Sequence, residues 1–99
     1  MRIYISGPMT GVDNYEDNFE RAEKYLIALG YEVINPSKVD ASLPQMNYFE
    51  YLDIDLYLLS KCQAIYMLNG WNNSNGAKEE LKTALLQGID VYLETEDMP

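Results

Sequence analysis

At 99 residues, 47% of them apolar, the chain has the length of one domain over 1–99 and enough apolar side chains for one core without covalent staples. With no histidine and a single cysteine, Cys62, an internal disulfide and Ser-His or Cys-His catalysis are excluded and the usual zinc ligand sets are out of reach, so no metal or cofactor is expected and chemistry falls to carboxylates, tyrosines, lysines or hydroxyls. A net charge of −9 with only seven scattered Lys and Arg argues against a nucleic-acid polymer as partner, while leaving room for one small nucleotide held by backbone amides.

The chain opens on Ile3-Tyr4-Ile5, a short run of β-formers closed by Ser6-Gly7-Pro8, which predicts a buried strand and a sharp loop. That run breaks too soon for a signal peptide, and no later apolar run approaches the ~20 residues that span a bilayer. Together with the lone cysteine this predicts a soluble, cytoplasmic protein with no membrane partner. Asp13 or Asn14 is placed to cap a helix running to about Leu29, with Phe19, Ala22, Leu26 and Leu29 on its core face and Gly30 as its stop. Tyr31-Glu32-Val33-Ile34 reads as a second strand, stopped by Asn35-Pro36. A loop containing Pro44 leads into a helix over 47–61. Residues 64–68 form a third strand, apolar throughout and therefore central. The loop from Asn69 to Asn75 opens a third helix over 76–87, and 89–93 is the fourth strand.

This alternation predicts a doubly wound α/β fold, flavodoxin- or Rossmann-like, with about four parallel strands in the order 2-1-3-4 and three helices. In such sheets ligands bind beyond the C-terminal strand ends, where the strand order reverses. That point lies between the first and third strands, so topology selects the loops from Ser6 to Asn14 and from Asn69 to Asn75.

The first loop, Ser6-Gly7-Pro8-Met9-Thr10-Gly11, reads either as a tight turn or as a place where backbone approaches a ligand; it has neither P-loop nor G-x-G-x-x-G spacing. The second, Gly70 to Gly76, opens a helix with Ser74 at its entry, an arrangement suited to an anion. Trp71 within it either stacks on a base or covers the end of the sheet. The third helix carries the sharpest signal. Its core stripe is Ala77, Leu81, Ala84, Leu85 and Gly88, and at ~100° per residue Glu79 turns to water while Glu80 lies on the flank of the stripe, facing the crevice. A carboxylate half-buried there is a candidate nucleophile or base. On the second helix Phe49, Leu52, Leu56 and Leu59 form the expected core face, with Asp53 and Asp55 on opposite flanks; periodicity leaves open which of them meets the crevice. Tyr51, Ile54 and Leu58 remain on the far side, and a helix apolar nearly all round predicts a homodimer or higher homo-oligomer built on helix 47–61.

Taken together, Ile3 to Gly11, Ile54-Asp55-Leu56 with Cys62 to Trp71, and Ser74-Asn75-Gly76-Ala77-Lys78-Glu79-Glu80 resemble the nucleoside 2-deoxyribosyltransferase superfamily, in particular its small DUF4406-type members from phages and bacteria. The resemblance spans nearly the whole chain. It implies cleavage of the N-glycosidic bond of a 2′-deoxyribonucleoside or its 5′-monophosphate, by hydrolysis or by deoxyribosyl transfer, through a covalent glutamyl intermediate. Carried over, Glu80 is the nucleophile and Asp55 the acid that helps the base depart. Ser6, Gly7, Pro8, Gly70, Trp71, Ser74 and Gly76 then bind substrate, with Ser74 and the amides near Gly76 meeting a 5′-phosphate if one is present. The implied partner is a small nucleoside or nucleotide, in a bacterial or phage-infected cell, with sites completed across subunits. In two respects the sequence departs from the pattern: Gln63 stands where many relatives carry Asp, and four strands are legible instead of five. The alternative reading is a non-catalytic nucleotide binder of the kind a phage uses to sequester a nucleotide-derived signal, and the third an interaction module with a vestigial site.

Overall fold

Four parallel strands, β1 (Arg2–Ser6), β2 (Glu32–Ile34), β3 (Ala64–Met67) and β4 (Asp90–Leu93), lie in the order β2-β1-β3-β4. The computed structural model describes residues 1–96 and Met98; Asp97 and Pro99, the rest of the expected 1–99 span, lie outside the described residues. β3 is buried at every position and β1 at all but Arg2, as strands covered on both faces must be. β1 pairs with β3 so that Tyr4 sits beside Ile65 and Ser6 beside Met67.

Strand alternation sorts these side chains into two cores. Ile3, Ile5, Ala64 and Tyr66 point to one face, where α1 (Tyr15–Ala28) lays Phe19, Ala22 and Leu26 on them. Tyr4, Ile65 and Met67 point to the other, beneath α3 (Tyr48–Leu59) and α4 (Asn75–Leu86), which contribute Leu59, Ala77 and Ala84. The sheet order and fold class are those expected from the alternation of elements, and no helix is long and apolar enough to cross a membrane among the described residues.

The differences from expectation are local. A fourth helix, α2 (Pro36–Ala41), occupies part of the span expected as loop. It is too short to show a period, but Asn35 accepts from the Ser37 backbone N–H at 3.0 Å and Pro36 pre-sets the first helical turn. The α1 entry residue is Asn14, held at φ 62 with no side-chain cap, a left-handed conformation that Asn tolerates. Leu29 lies past the last turn of α1 and is exposed, and Leu85 on α4 is exposed as well, so neither belongs to the core stripe expected of it.

The largest correction is the phase of α3. Phe49 was expected in the core and is 72% exposed. Tyr51, Ile54 and Leu58 were expected on an outward face, yet none is exposed: Tyr51 lines a crevice and Leu58 packs on the second core. Apolar residues surround this helix, so its pattern carries no phase. Asp55 settles it by turning inward, about 120° round the helix from Phe49. The start is fixed by a reciprocal cap, with the Glu50 N–H on Asn47 Oδ1 at 2.9 Å and the Asn47 N–H on Glu50 Oε1 at 3.0 Å.

Candidate active site

A crevice of about 860 Å³ opens beyond the C-terminal ends of β1 and β3, at the switch point of the sheet. The loop after β1, α2, the inner side of α3 and the first turns of α4 wall it, and three carboxyl groups, Asp40, Asp55 and Glu80, line it.

Glu80 sits in the second turn of α4 and is 7% exposed, while Glu79 faces solvent. It is held from the sheet. Tyr4 and Ser6, two residues apart on β1, point to the same face. The Tyr4 hydroxyl donates to Glu80 Oε2, and the Ser6 hydroxyl donates to Oε1 at 2.7 Å. Each carboxylate oxygen therefore has one lone pair engaged and another left over. Burial pushes the Glu80 carboxyl up to about 7; the two hydroxyls pull against that rise and the charge of Asp40 adds to it. Burial and the neighbouring Glu80 keep the Tyr4 hydroxyl well above the ordinary phenol range, so it stays a donor.

Asp55 is 7% exposed and its carboxyl is raised well above the ordinary range, first by burial and then by Asp40, which hydrogen-bonds to it and repels its charge. Burial raises Asp40 as well. Two carboxyl groups that face each other in a half-dry site cannot both ionise cheaply, so the pair holds a shared proton around neutral pH. The Oδ1 atoms of both aspartates have no hydrogen-bond partner among the described residues. The crevice thus carries a carboxylate locked in place beside a carboxyl that keeps its proton, the split roles that acid-assisted nucleophilic chemistry needs.

Glu80, Asp55, Gly7, Ser74 and Gly76 all line this crevice, and Ser6 is buried behind Glu80. Asp53, on the other flank of α3, is exposed. Ser74 is the N-cap of α4: its oxygen accepts from the Ala77 N–H at 3.1 Å, leaving its hydroxyl hydrogen to donate. Gly7 is required by packing, since a Cβ there would lie 2.8 Å from the Leu68 side chain. Besides Ser6, three of the expected binding residues lie outside the crevice lining. Pro8 faces a separate cavity of about 110 Å³ beside Arg21 and Glu94. Gly70, at φ 87, turns the chain into the short 3-10 turn Trp71–Asn73. Trp71 is half-buried and packs against the second core.

Two further residues escaped the sequence reading. Tyr4 was legible in principle, as the i−2 neighbour of Ser6 on a strand. Asp40 gave no signal, because α2 has no period to place it. Gln63, the departure from the family pattern, lies at the opposite edge of the sheet, where its Oε1 accepts from the Arg2 N–H at 2.8 Å. Cys62 is buried, donates to the Leu58 carbonyl at 3.5 Å and is pushed up to about 11 by burial, so it is an inert thiol. Among the described residues no group of three His, Cys, Asp or Glu is arranged to hold a metal ion.

The family model described as a domain of unknown function, DUF4406, matches residues 1–93, and the chain belongs to that family. No curated protein matches the sequence. Among solved structures, the fold is similar to that of the 2-deoxyribosyltransferase from the psychrotolerant bacterium Bacillus psychrosaccharolyticus, with a TM-score of 0.74 at 21% identity over all of this chain and 77% of that one.

Proposed function

We propose that this member of the DUF4406 family cleaves the N-glycosidic bond of a 2′-deoxyribonucleoside or its 5′-monophosphate. The observation that carries the reading is Glu80: a nearly buried carboxylate at the switch-point crevice, fixed by Tyr4 and Ser6, with a proton-bearing Asp55 beside it. In the proposed reaction a free lone pair of Glu80 attacks C1′. The C1′–N bond breaks with its electron pair going to the base, and the Asp55–Asp40 pair gives its proton to that base. The deoxyribosyl ester on Glu80 is then released by water or by a second base, which returns a proton to Asp55. Similarity in fold to a deoxyribosyltransferase supports the same kind of chemistry. We further propose that the chain works in a cytoplasm as a homo-oligomer. The apolar side chains left exposed on the adjoining helices α3 and α4, Phe49, Tyr57, Leu85 and Leu86, replace the expected 47–61 patch as the contact surface.

The test is base release from a panel of 2′-deoxynucleosides and their monophosphates. Glu80→Ala is expected to lower the rate by several orders of magnitude and Glu79→Ala to leave it nearly intact. A 2-fluoro-2-deoxy-arabinosyl nucleoside is expected to leave an adduct on Glu80, read by intact mass and peptide mapping. Equal effects of the two substitutions refute the assignment. Binding without turnover in the unaltered protein favours the sequestering role instead.

A further inference from the structure

Asn73 to Gly76 form one rim of the crevice, at the end of the segment that leaves β3. The backbone bonds of that segment are short-range. The Trp71 N–H donates to the Leu68 carbonyl at 3.1 Å, the Asn73 N–H to Gly70 at 3.0 Å and the Ser74 N–H to Trp71 at 3.0 Å. Such bonds shape a turn without fixing it to the rest of the domain. Trp71 packs against the second core, which holds the middle of the segment. Its start depends on a side chain. Among the described residues, one hydrogen bond from 69–74 runs to a distant part of the chain: the Asn69 N–H donates to Glu94 Oε1 at 2.8 Å.

Glu94 follows β4, and its own N–H donates to the Met67 carbonyl at 2.8 Å. Its backbone is therefore tied to the last residue of β3 and its side chain to the second residue beyond. The other carboxylate oxygen accepts from Arg21 of α1 at 3.1 Å. The Glu94 side chain is 15% exposed and that of Arg21 61%, so the ion pair is open to water while the acceptor itself is shielded. This junction borders the cavity of about 110 Å³ on the α1 side of the sheet and lines no part of the crevice. Glu80 is held separately, by Tyr4 and Ser6.

We infer that Glu94 is a positioning residue: from the α1 side of the sheet its carboxylate holds the start of the β3–α4 loop and so sets the crevice rim from Asn73 to Gly76. The inference rests on the proposed function and adds to it a residue that touches no substrate. A loop freed at Asn69 must be ordered again each time substrate binds, which raises KM and spares the chemical step.

The experiment compares Glu94→Leu, Glu94→Gln and Arg21→Met with the parent, on a 2′-deoxynucleoside that the parent cleaves. It reads kcat, KM and amide hydrogen exchange over 69–76. Glu94→Leu keeps the bulk and removes both acceptors; KM is expected to rise on the order of tenfold, the size of one hydrogen bond to a charged group. Its kcat stays near the parent's, and exchange over 69–76 quickens. Glu94→Gln keeps an acceptor for Asn69 and restores KM, and Arg21→Met, which removes only the ion pair, stays close to the parent. A merely structural role lowers the folded fraction, hence the apparent kcat, at unchanged KM. That pattern, or Glu94→Gln as impaired in KM as Glu94→Leu, overturns the inference and leaves the cleavage reading standing. Should Glu94→Leu fail to fold, Glu94→Asp decides: it keeps the charge but withdraws it by one methylene, and the same rise in KM at constant kcat is expected. A parent that cleaves no member of the panel removes the cleavage reading and the inference with it.

Discussion

Glu80→Gln is expected to stabilise the protein in a pH-dependent way, at the expense of activity. The ordinary carboxyl value of 4.5 rises to about 7 at Glu80, with burial as the main cause. A raised folded value means that folding favours the protonated form. Its stabilising effect is fully present below the unfolded value and is lost as pH climbs through about 7. At about 1.4 kcal/mol per pH unit, holding Glu80 ionised costs the fold roughly 3 kcal/mol at alkaline pH. Glutamine removes the charge but keeps one acceptor oxygen, so one of the Tyr4 and Ser6 hydroxyls must turn and accept from its amide, a loss of about 1 kcal/mol. The net gain is about 2 kcal/mol, or roughly 8–16 °C in Tm for a domain this small. Thermal unfolding followed by circular dichroism gives the answer at about pH 4, 6 and 8, with the gain absent at the first and full at the last. A variant that is equally or less stable than the parent at the alkaline end, or that gains as much at the acid end, refutes the claim that Glu80 is held ionised against burial.

Base release is expected to follow a bell in pH. Its acid limb is centred near the Glu80 value of about 7, and its alkaline limb falls where the Asp40–Asp55 pair gives up its shared proton. Asp40→Asn removes the neighbour that raises Asp55, so the alkaline limb moves to lower pH; a limb that stays put separates Asp40 from the acid. Phe49→Glu, which places a charge on a side chain 72% exposed in the free chain, is expected to leave the fold intact and to lower the mass seen by light scattering from oligomer to monomer. A parent protein that is monomeric at tens of micromolar removes the basis for that contact.

What could be read in the sequence followed from short-range periodicity. Short apolar runs rich in β-formers and closed by turn residues located the four strands, and their alternation with helices set the order β2-β1-β3-β4, hence the crevice at the switch point. The helical step of ~100° separated Glu80 from Glu79, because α4 has a polar side against which an inward carboxylate stands out. Only the tertiary structure decided α3. With apolar residues all round, its rotation is set by what it packs against, and that put Asp55 in the crevice, drew Tyr51 and Leu58 inward and left Phe49 in water. Asp40 belongs to the same class. It lies on a helix of six residues, and its role comes from facing Asp55, fifteen positions away in sequence, a pairing that no local pattern encodes. Trp71 and Pro8 show the converse limit: both lie in the loops that topology selects, yet a loop at the end of a sheet has two sides, and Trp71 packs against the second core while Pro8 faces the separate cavity beside Arg21, contacts that no local pattern encodes.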